Sequence, residues 1–257
     1  MARWGRRWIA ALAAVSVVLV ATAAPAPAAT RPIRVLVIGD STANGLGASL
    51  ALWGASHGNV VVVDRQAING CPLVDANAMN TVSPPQWARV PAACRDWGRR
   101  MLAQRAWKPD VVLAVFGPTQ AADVRPANTG TITNVKNADF RWATVDQAIE
   151  LRNDFPKAVF VWASAPRTFF ALPGFPENVW LLNDPTRVAA WNGLVLAMSR
   201  WPVSVRLHMA QYIETLPGGW RNRAVRPDGT HVAGVALANL AAWVGNAVVN
   251  DYRYFHR

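Results

Sequence analysis

Short runs of consecutive apolar residues recur along the chain and are separated by longer segments that mix apolar and polar residues. Continuous apolar runs, as opposed to alternating ones, are typical of strands buried on both faces of a sheet. The pattern predicts β-strands at residues 34–38, 60–64, 111–115, 158–163 and 203–209.

The segments around these runs predict helices. They lie at residues 43–53, 95–104, 142–153, 185–199 and 232–249. Because strands and helices alternate, the strands should run parallel and be joined by helical crossovers. The pattern therefore predicts an α/β fold, a three-layer α/β/α sandwich around a five-stranded parallel sheet. In such sheets, ligands bind beyond the carboxyl ends of the strands.

The chain begins with a segment typical of protein export. Three arginines within the first seven residues precede an apolar run and the small residues Ala26-Pro27-Ala28, which is the order found in signal peptides. We predict a secretory signal peptide at residues 1–28, a single domain at 29–257, and a secreted or cell-envelope-associated protein. Arg6-Arg7 also fits a twin-arginine signal. An uncleaved anchor is the alternative, although the apolar run is shorter than the roughly 20 residues of a span.

Charge and motifs exclude several classes of protein. The formal net charge is +11, and removal of residues 1–28 takes away three arginines and no acidic residue, which leaves +8. This charge favours acidic or cell-envelope partners, or serves only solubility. The arginines are scattered without a recognition motif, so we predict no nucleic-acid partner. Neither a dinucleotide motif nor a P-loop occurs, and we predict no cofactor.

Cys71 and Cys94 are the only cysteines. In an exported protein, an even pair usually forms a disulfide, and this one would close a loop of about 23 residues, worth roughly 3 kcal/mol. Residues 72–93 contain several prolines and predict neither a helix nor a strand, so they need such a tether. No histidine lies at ligand spacing beside either cysteine, and we predict no metal site.

Two motifs near opposite ends of the chain carry candidate catalytic residues. Gly39-Asp40-Ser41 follows the first predicted strand, and Asp228-Gly229-Thr230-His231 precedes the last predicted helix. Each motif alone also fits a turn with a helix cap. Together they supply a nucleophile, Ser41, a base, His231, and an acid, Asp228, that can orient the base. We therefore predict a hydrolytic triad at the carboxyl edge of the sheet.

A glycine-hinged basic loop, Gly218-Gly219-Trp220-Arg221-Asn222-Arg223, lies just before the second motif. Loops of this kind often line functional sites. We predict that Trp220 forms a lip over the site and contacts the substrate.

With these motifs, the chain resembles the SGNH, or GDSL-type, hydrolase superfamily over nearly all of residues 29–257. The resemblance is most specific at Gly39-Asp40-Ser41 and at Asp228-Gly229-Thr230-His231. It implies a flavodoxin-like sandwich with strand order 2-1-3-4-5, and a serine ester hydrolase in which Ser41 attacks an ester. It also implies that Gly70, at the position of the family's second block, donates its N–H to the oxyanion beside that of Ser41.

The third block of the family is altered. The family usually has Gly-x-Asn-Asp there, with the asparagine side chain as a further oxyanion donor, but this chain has Gly117-Pro118-Thr119-Gln120. Loss of one such donor typically costs about 10²- to 10³-fold in rate. Thr119 and Gln120 are the candidate replacements.

Gly39-Asp40-Ser41-Thr42-Ala43 and Gly70-Cys71-Pro72-Leu73 are similar to SGNH proteins that accompany membrane O-acyltransferases of the cell envelope. That resemblance implies hydrolysis or transfer of short, acetyl-like acyl groups on envelope polysaccharide or glycolipid, with a membrane acyltransferase as partner. One alternative is a non-catalytic SGNH module that binds envelope glycan or the acyltransferase. The other is a lipase or lysophospholipase with an apolar groove formed by Phe169, Phe170, Leu172, Phe175 and Trp180.

Overall fold

The computed structural model describes residues 31–95, 97–127 and 130–257. The predicted signal peptide at residues 1–28 lies outside the described residues. The strands are β1 Ile33–Gly39, β2 Val61–Arg65, β3 Ala76–Asn80, β4 Trp87–Arg89, β5 Val111–Val115, β6 Asp123–Pro126, β7 Val159–Ala163 and β8 Ser204–Leu207. The α-helices are α1 Ser41–Ser56, α2 Trp97–Arg105, α3 Ala138–Asp154, α4 Pro185–Met198, α5 Met209–Thr215 and α6 Gly234–Phe255.

Five strands form one parallel sheet in the order β2-β1-β5-β7-β8. Counted within this sheet alone, the order is 2-1-3-4-5, so the predicted fold class and strand order are confirmed. Strands β5 and β7 are buried along their whole length, as continuous apolar runs predict. Strand β1 lies between β2 and β5, where the strand order reverses. A ligand site is therefore expected beyond the carboxyl end of β1.

Helices cover both faces of this sheet. Alternate residues of a strand point to opposite faces, so Leu36 and Val37 of β1 belong to two different cores. The core around Leu36 includes residues of α2, α3 and α4. The core around Val37 includes residues of α1, α5 and α6. The result is the predicted three-layer sandwich.

A second, antiparallel sheet in the order β4-β3-β6 corrects the prediction that residues 72–93 contain neither a helix nor a strand. Strand β3 pairs with its neighbour β4 and also with β6, which comes from the loop after β5. The pairing is supported by Asn80, which is buried and whose side-chain oxygen accepts from the N–H groups of Val82 and Gln86. These strands depend on tertiary pairing, which local residue patterns do not reveal.

A disulfide joins Cys71 and Cys94, as predicted, with their Cα atoms 5.3 Å apart. Cys71 follows the turn after β2, and Cys94 lies just before α2. The bridge therefore fixes both ends of the segment that carries β3 and β4.

The last strand is shorter than predicted, because β8 ends at Leu207 and α5 begins at Met209. The N–H of Ala210 donates to Ser164 Oγ at 3.0 Å, which turns the chain out of the sheet. Within the described ranges, no helix combines the length and the apolar character that a membrane span requires.

Candidate active site

Ser41 is the first residue of α1 and lies directly beyond the carboxyl end of β1. The turn needs a glycine at position 39, which has φ +143° and where a Cβ would lie 1.9 Å from the carbonyl oxygen of Val115. The first N–H groups of a helix have no acceptor within the helix, and the helix dipole favours negative charge there. The hydroxyl and the N–H of Ser41 are thus placed where an oxyanion would be stabilised.

Asp40 holds this turn against the end of β5. Its carboxylate is fully buried and accepts from the N–H groups of Thr42 and Gly117, at 2.9 and 2.8 Å, and from the Thr119 hydroxyl at 2.5 Å. Burial raises the pKa of Asp40, although these hydrogen bonds act in the opposite direction. The residue serves as the helix cap and fixes the position of Ser41.

The structure brings Ser41, His231 and Asp228 together. His231 Nε2 lies 2.7 Å from Ser41 Oγ, and His231 Nδ1 lies 2.5 Å from Asp228 Oδ2. Because an ionised carboxylate can only accept, Nδ1 carries the proton and leaves Nε2 free to accept from the serine hydroxyl. This is the arrangement of a nucleophile, a general base and an orienting acid.

The other oxygen of Asp228 also contributes to the site. Oδ1 accepts from the N–H groups of Thr230 and His231, each at 2.8 Å. Partial burial acts to raise the pKa of Asp228, but the hydrogen bonds from His231 and Thr230 outweigh it and hold the pKa below its ordinary value. Asp228 is therefore an ionised acceptor at neutral pH.

The turn that carries the acid and the base packs tightly on the loop after β7. Gly229 has φ +79°, and a Cβ there would lie 2.5 Å from the carbonyl oxygen of Phe169. In return, the N–H of Phe169 donates to the carbonyl oxygen of Gly229 at 3.1 Å. Only glycine fits this position without strain, so Gly229 is required for the close packing of this turn.

Arg226 is a functional candidate that sequence reasoning missed. Its side chain is 0% exposed, and all of its hydrogen bonds to the described residues are to backbone carbonyls. Nε and Nη2 bind the carbonyl of Thr230 at 3.0 and 2.8 Å, while Nη1 binds those of Arg167 and Trp220 at 2.5 and 3.1 Å. Burial lowers the pKa of Arg226 to about 10, with the charge of Asp228 opposing that shift, so the group is charged at neutral pH. Three segments around His231 are thereby tied to one cation.

The sequence contains no local signal for this role, since one arginine among many in a basic loop has no distinguishing pattern. Only the burial of the side chain and its three carbonyl partners identify it.

Gly70 lies in the turn after β2 and has φ +72°. No described residue accepts a hydrogen bond from its N–H. The neighbouring Asn69 contacts Asn44 of α1 through their side-chain amides at 3.5 Å, so this turn lies beside the helix that begins at Ser41. Gly70 stays a candidate oxyanion donor.

The structure gives Thr119 and Gln120 other partners. The Thr119 hydroxyl donates to Asp40, and the Gln120 side chain is 0% exposed. Gln120 Oε1 accepts from the N–H of Leu73 at 3.2 Å, and Nε2 donates to Thr119 Oγ1 at 3.2 Å. Both side chains thus connect buried loops, and an oxyanion would have to displace one of these contacts to use them.

Trp220 is half-buried and packs against the core that contains α1 and α6. Its ring makes an edge contact with Phe169 at 5.9 Å between centroids. The nearby Arg221 and Arg223 both pair with Glu177. The loop therefore packs on the segment after β7, and its contact with substrate stays a prediction.

Across the described residues, no group of three or more side chains has the composition and spacing of a metal site.

Several solved structures share the fold of this chain. A GDSL-like lipase from Bacteroides thetaiotaomicron VPI-5482 shares the fold at 14% identity and TM-score 0.53, over 84% of this chain and 88% of that one. The periplasmic domain of a lipopolysaccharide acetyltransferase from Salmonella ser. Paratyphi A shares it at 12% identity and TM-score 0.53, over 85% and 84%. A catalytic mutant of an acetylxylan esterase from Geobacillus stearothermophilus shares it at 13% identity and TM-score 0.52, over 84% and 94%. At these identities the likeness establishes the fold of GDSL-type hydrolases.

A model of SGNH domains described as fused to AT3 domains matches residues 16–214. The chain therefore belongs to the SGNH family, as its motifs indicated, and its enzyme class is that of the serine ester hydrolases. The matched range ends before the Asp228 to His231 motif. No curated protein matches the chain in sequence.

Proposed function

We propose that this protein is a secreted or cell-envelope serine esterase that hydrolyses or transfers short, acetyl-like acyl groups on envelope carbohydrate. The proposal rests on two hydrogen bonds, one of 2.5 Å between Asp228 and His231 and one of 2.7 Å between His231 and Ser41. It combines an activated nucleophile, its base and an orienting acid at a helix N-terminus.

In the first half-reaction, the oxygen of Ser41 attacks the acyl carbon and gives its proton to His231 Nε2. Asp228 stabilises the imidazolium that forms. The N–H groups of Ser41 and Gly70 donate to the oxyanion. His231 then returns the proton to the oxygen of the leaving alcohol, and the acyl group stays on Ser41.

In the second half-reaction, an acceptor attacks the acyl-serine while His231 takes its proton. Water as acceptor gives a free carboxylic acid, and a sugar hydroxyl gives a new ester. Transfer requires that the sugar hydroxyl reaches the acyl-serine before water does. Acyl transfer of this kind needs no cofactor.

The substrate, partner and location are also part of the proposal. Two proteins that share the fold are described as an acetylxylan esterase and a lipopolysaccharide acetyltransferase, which supports acylated carbohydrate as substrate. The fusion of related SGNH domains to AT3 domains supports a membrane acyltransferase as partner. The basic charge of the chain suits contact with acidic envelope material.

The lipase alternative needs a broad apolar groove. Phe169 is buried, and the rings of Phe170 and Phe175 pack on Trp180 with centroids 4.6 and 6.0 Å apart. These rings pack on one another, and Leu172 is the one of the five side chains that is exposed, at 47%.

The non-catalytic alternative rests on the altered third block. The hydrogen-bonded triad of Ser41, His231 and Asp228 argues against it.

The proposal predicts covalent labelling of Ser41 and turnover of short esters. A fluorophosphonate probe should label the peptide that contains Ser41, and the purified, oxidised protein should hydrolyse p-nitrophenyl acetate faster than longer esters. Ser56→Ala is a matched control. Ser56 also contacts a histidine, His57 at 3.0 Å, but it lies at the C-terminal end of α1, where the dipole disfavours negative charge. Absence of labelling at Ser41 in folded protein would support the non-catalytic module instead.

Asp228 gives the one pH dependence that the site itself supports. Against the effect of partial burial, hydrogen bonds from His231 and Thr230 hold the pKa of Asp228 below its ordinary value. The stability that its carboxylate contributes should therefore be present above the ordinary pKa of an aspartate and be lost as the pH falls through the lowered pKa. We expect the difference in Tm between wild type and Asp228→Asn to be largest at neutral pH and to shrink in acid, and thermal unfolding at a series of pH values measures it. The same difference at every pH would contradict this expectation.

A further inference from the structure

A small pocket opens beside Ser41 and His231. Its free volume is about 30 Å³. Helix α1 forms one side, the start of α6 forms another, and α5 with the loop after β7 closes the rest. The apolar side chains that line it are Leu46, Pro166, Ile213, Val232, Leu237 and Leu240.

We infer that this pocket binds the acyl group of the substrate and limits it to acetyl or propionyl. The inference rests on the proposed function and adds to it the acyl chain and the residues that select it. A cavity needs about 10–15 Å³ to hold one water-sized group. The pocket therefore holds about two such groups, which is enough for the carbon chain of a short acyl group. A sugar ring is too large, so the carbohydrate must stay outside the pocket.

The chemistry at Ser41 leads to the same assignment. Once Ser41 Oγ has attacked, the acyl carbon carries the oxyanion, the leaving oxygen and the acyl chain. The oxyanion is directed to backbone N–H groups, and the leaving oxygen must lie near His231 Nε2 to receive its proton. The acyl chain is the remaining substituent, and it is also the apolar one. Burial of its carbon atoms against apolar side chains is favourable.

Polar residues line the mouth of the pocket beside its apolar wall. They are Ser41, Thr42, Thr230 and His231. The Thr230 hydroxyl is inaccessible and has no hydrogen-bond partner among the described residues, so it is not a donor for a ligand. The apolar side chains therefore determine what the pocket binds.

The depth of the pocket is fixed by side chains of the core. Leu46, Ile213 and Leu240 are each no more than 2% exposed, and a close-packed interior does not yield to additional methylene groups. Leu237 is only half-buried and lies in the first turn of α6. Truncation of Leu237 should therefore enlarge the pocket while leaving the core intact.

The test is the acyl-length preference of the wild-type protein and of two variants at Leu237. For p-nitrophenyl acetate, propionate, butyrate and hexanoate, wild-type kcat/KM should fall about tenfold or more for each methylene beyond propionate. Leu237→Ala should raise the butyrate-to-acetate ratio about tenfold or more. Leu237→Phe should lower turnover of acetate and propionate. Val235→Ala, at a position on the same helix that is 77% exposed, should keep the wild-type ratio.

A second variant and a second series of substrates make the result decisive. If Leu237→Ala does not fold, Ile213→Val removes one methylene from the pocket and should shift the ratio in the same direction. A wild-type length profile in both variants, with acetate turnover intact, would overturn the inference and leave the esterase standing. A change in preference among the alcohols of acetate esters, in place of the acyl chains, would overturn it too. Absence of Ser41-dependent turnover of any ester would instead contradict the proposed function itself.

Discussion

Replacement of Ser41 by alanine is expected to lower kcat for p-nitrophenyl acetate by about 10⁵- to 10⁶-fold. The variant loses the nucleophile that His231 contacts at 2.7 Å, so the acyl-serine cannot form.

Asp228→Asn should lower kcat by about 10⁴-fold. Its amide can donate a hydrogen bond to His231 Nδ1 and so stabilise the wrong tautomer of His231. Steady-state assays of Ser41→Ala, Asp228→Asn and wild type with p-nitrophenyl acetate measure the two decreases in kcat.

Folding must be excluded as the cause of either loss. Both variants should keep the wild-type circular dichroism spectrum, and Ser56→Ala should keep wild-type kcat. If Ser41→Ala retained more than about one per cent of wild-type turnover, a different nucleophile would be at work, since triad removal leaves far less.

Replacement of Arg226 by methionine should cause a large loss of stability. The substitution leaves the carbonyls of Thr230, Arg167 and Trp220 without their donors, and each buried unsatisfied group costs about 1–3 kcal/mol. We expect the free energy of unfolding to fall by about 3–5 kcal/mol. For a domain of this size, that corresponds to a decrease in Tm of about 10 °C. Thermal and chemical unfolding measure it.

Arg223→Met is the matched control for Arg226. Arg223 lies in the same loop and also approaches the Phe169 ring, at 5.1 Å, but its side chain is 55% exposed. Exposed substitutions of this kind usually change stability by less than about 0.5 kcal/mol. Equal stability of the two variants would mean that the buried hydrogen bonds of Arg226 do not hold the turn before His231. Arg226→Lys, which keeps the charge but not the fork of donors, should be intermediate.

Most of the parallel sheet could be predicted from the sequence because the signal is local. Strands such as β5 and β7 are buried on both faces, so every position must be apolar and the run is continuous. The predicted helices also lie where the structure has them, with ends that differ by up to six residues, but α5 was not predicted. Helix ends depend on caps and packing more than on periodicity.

The small sheet of β3, β4 and β6 could not be predicted in this way. Its strands are short, and β3 pairs with a segment that follows β5. Pairing between strands so far apart in the sequence depends on which loops meet at the carboxyl edge of the main sheet. The cysteine pair did indicate that residues 72–93 are held at both ends.

The sequence by itself determined the class of fold, the disulfide and the two motifs that carry Ser41, Asp228 and His231. Each of these has a local cause: a continuous apolar run, a cysteine pair, or a turn with a required glycine. Only the tertiary structure decided that Arg226 is buried on three carbonyls, that Thr119 and Gln120 bind inward, and that a small apolar pocket adjoins Ser41. Those features arise where segments distant in sequence pack together, and the free energy of such contacts depends on distances that no local pattern of residues contains.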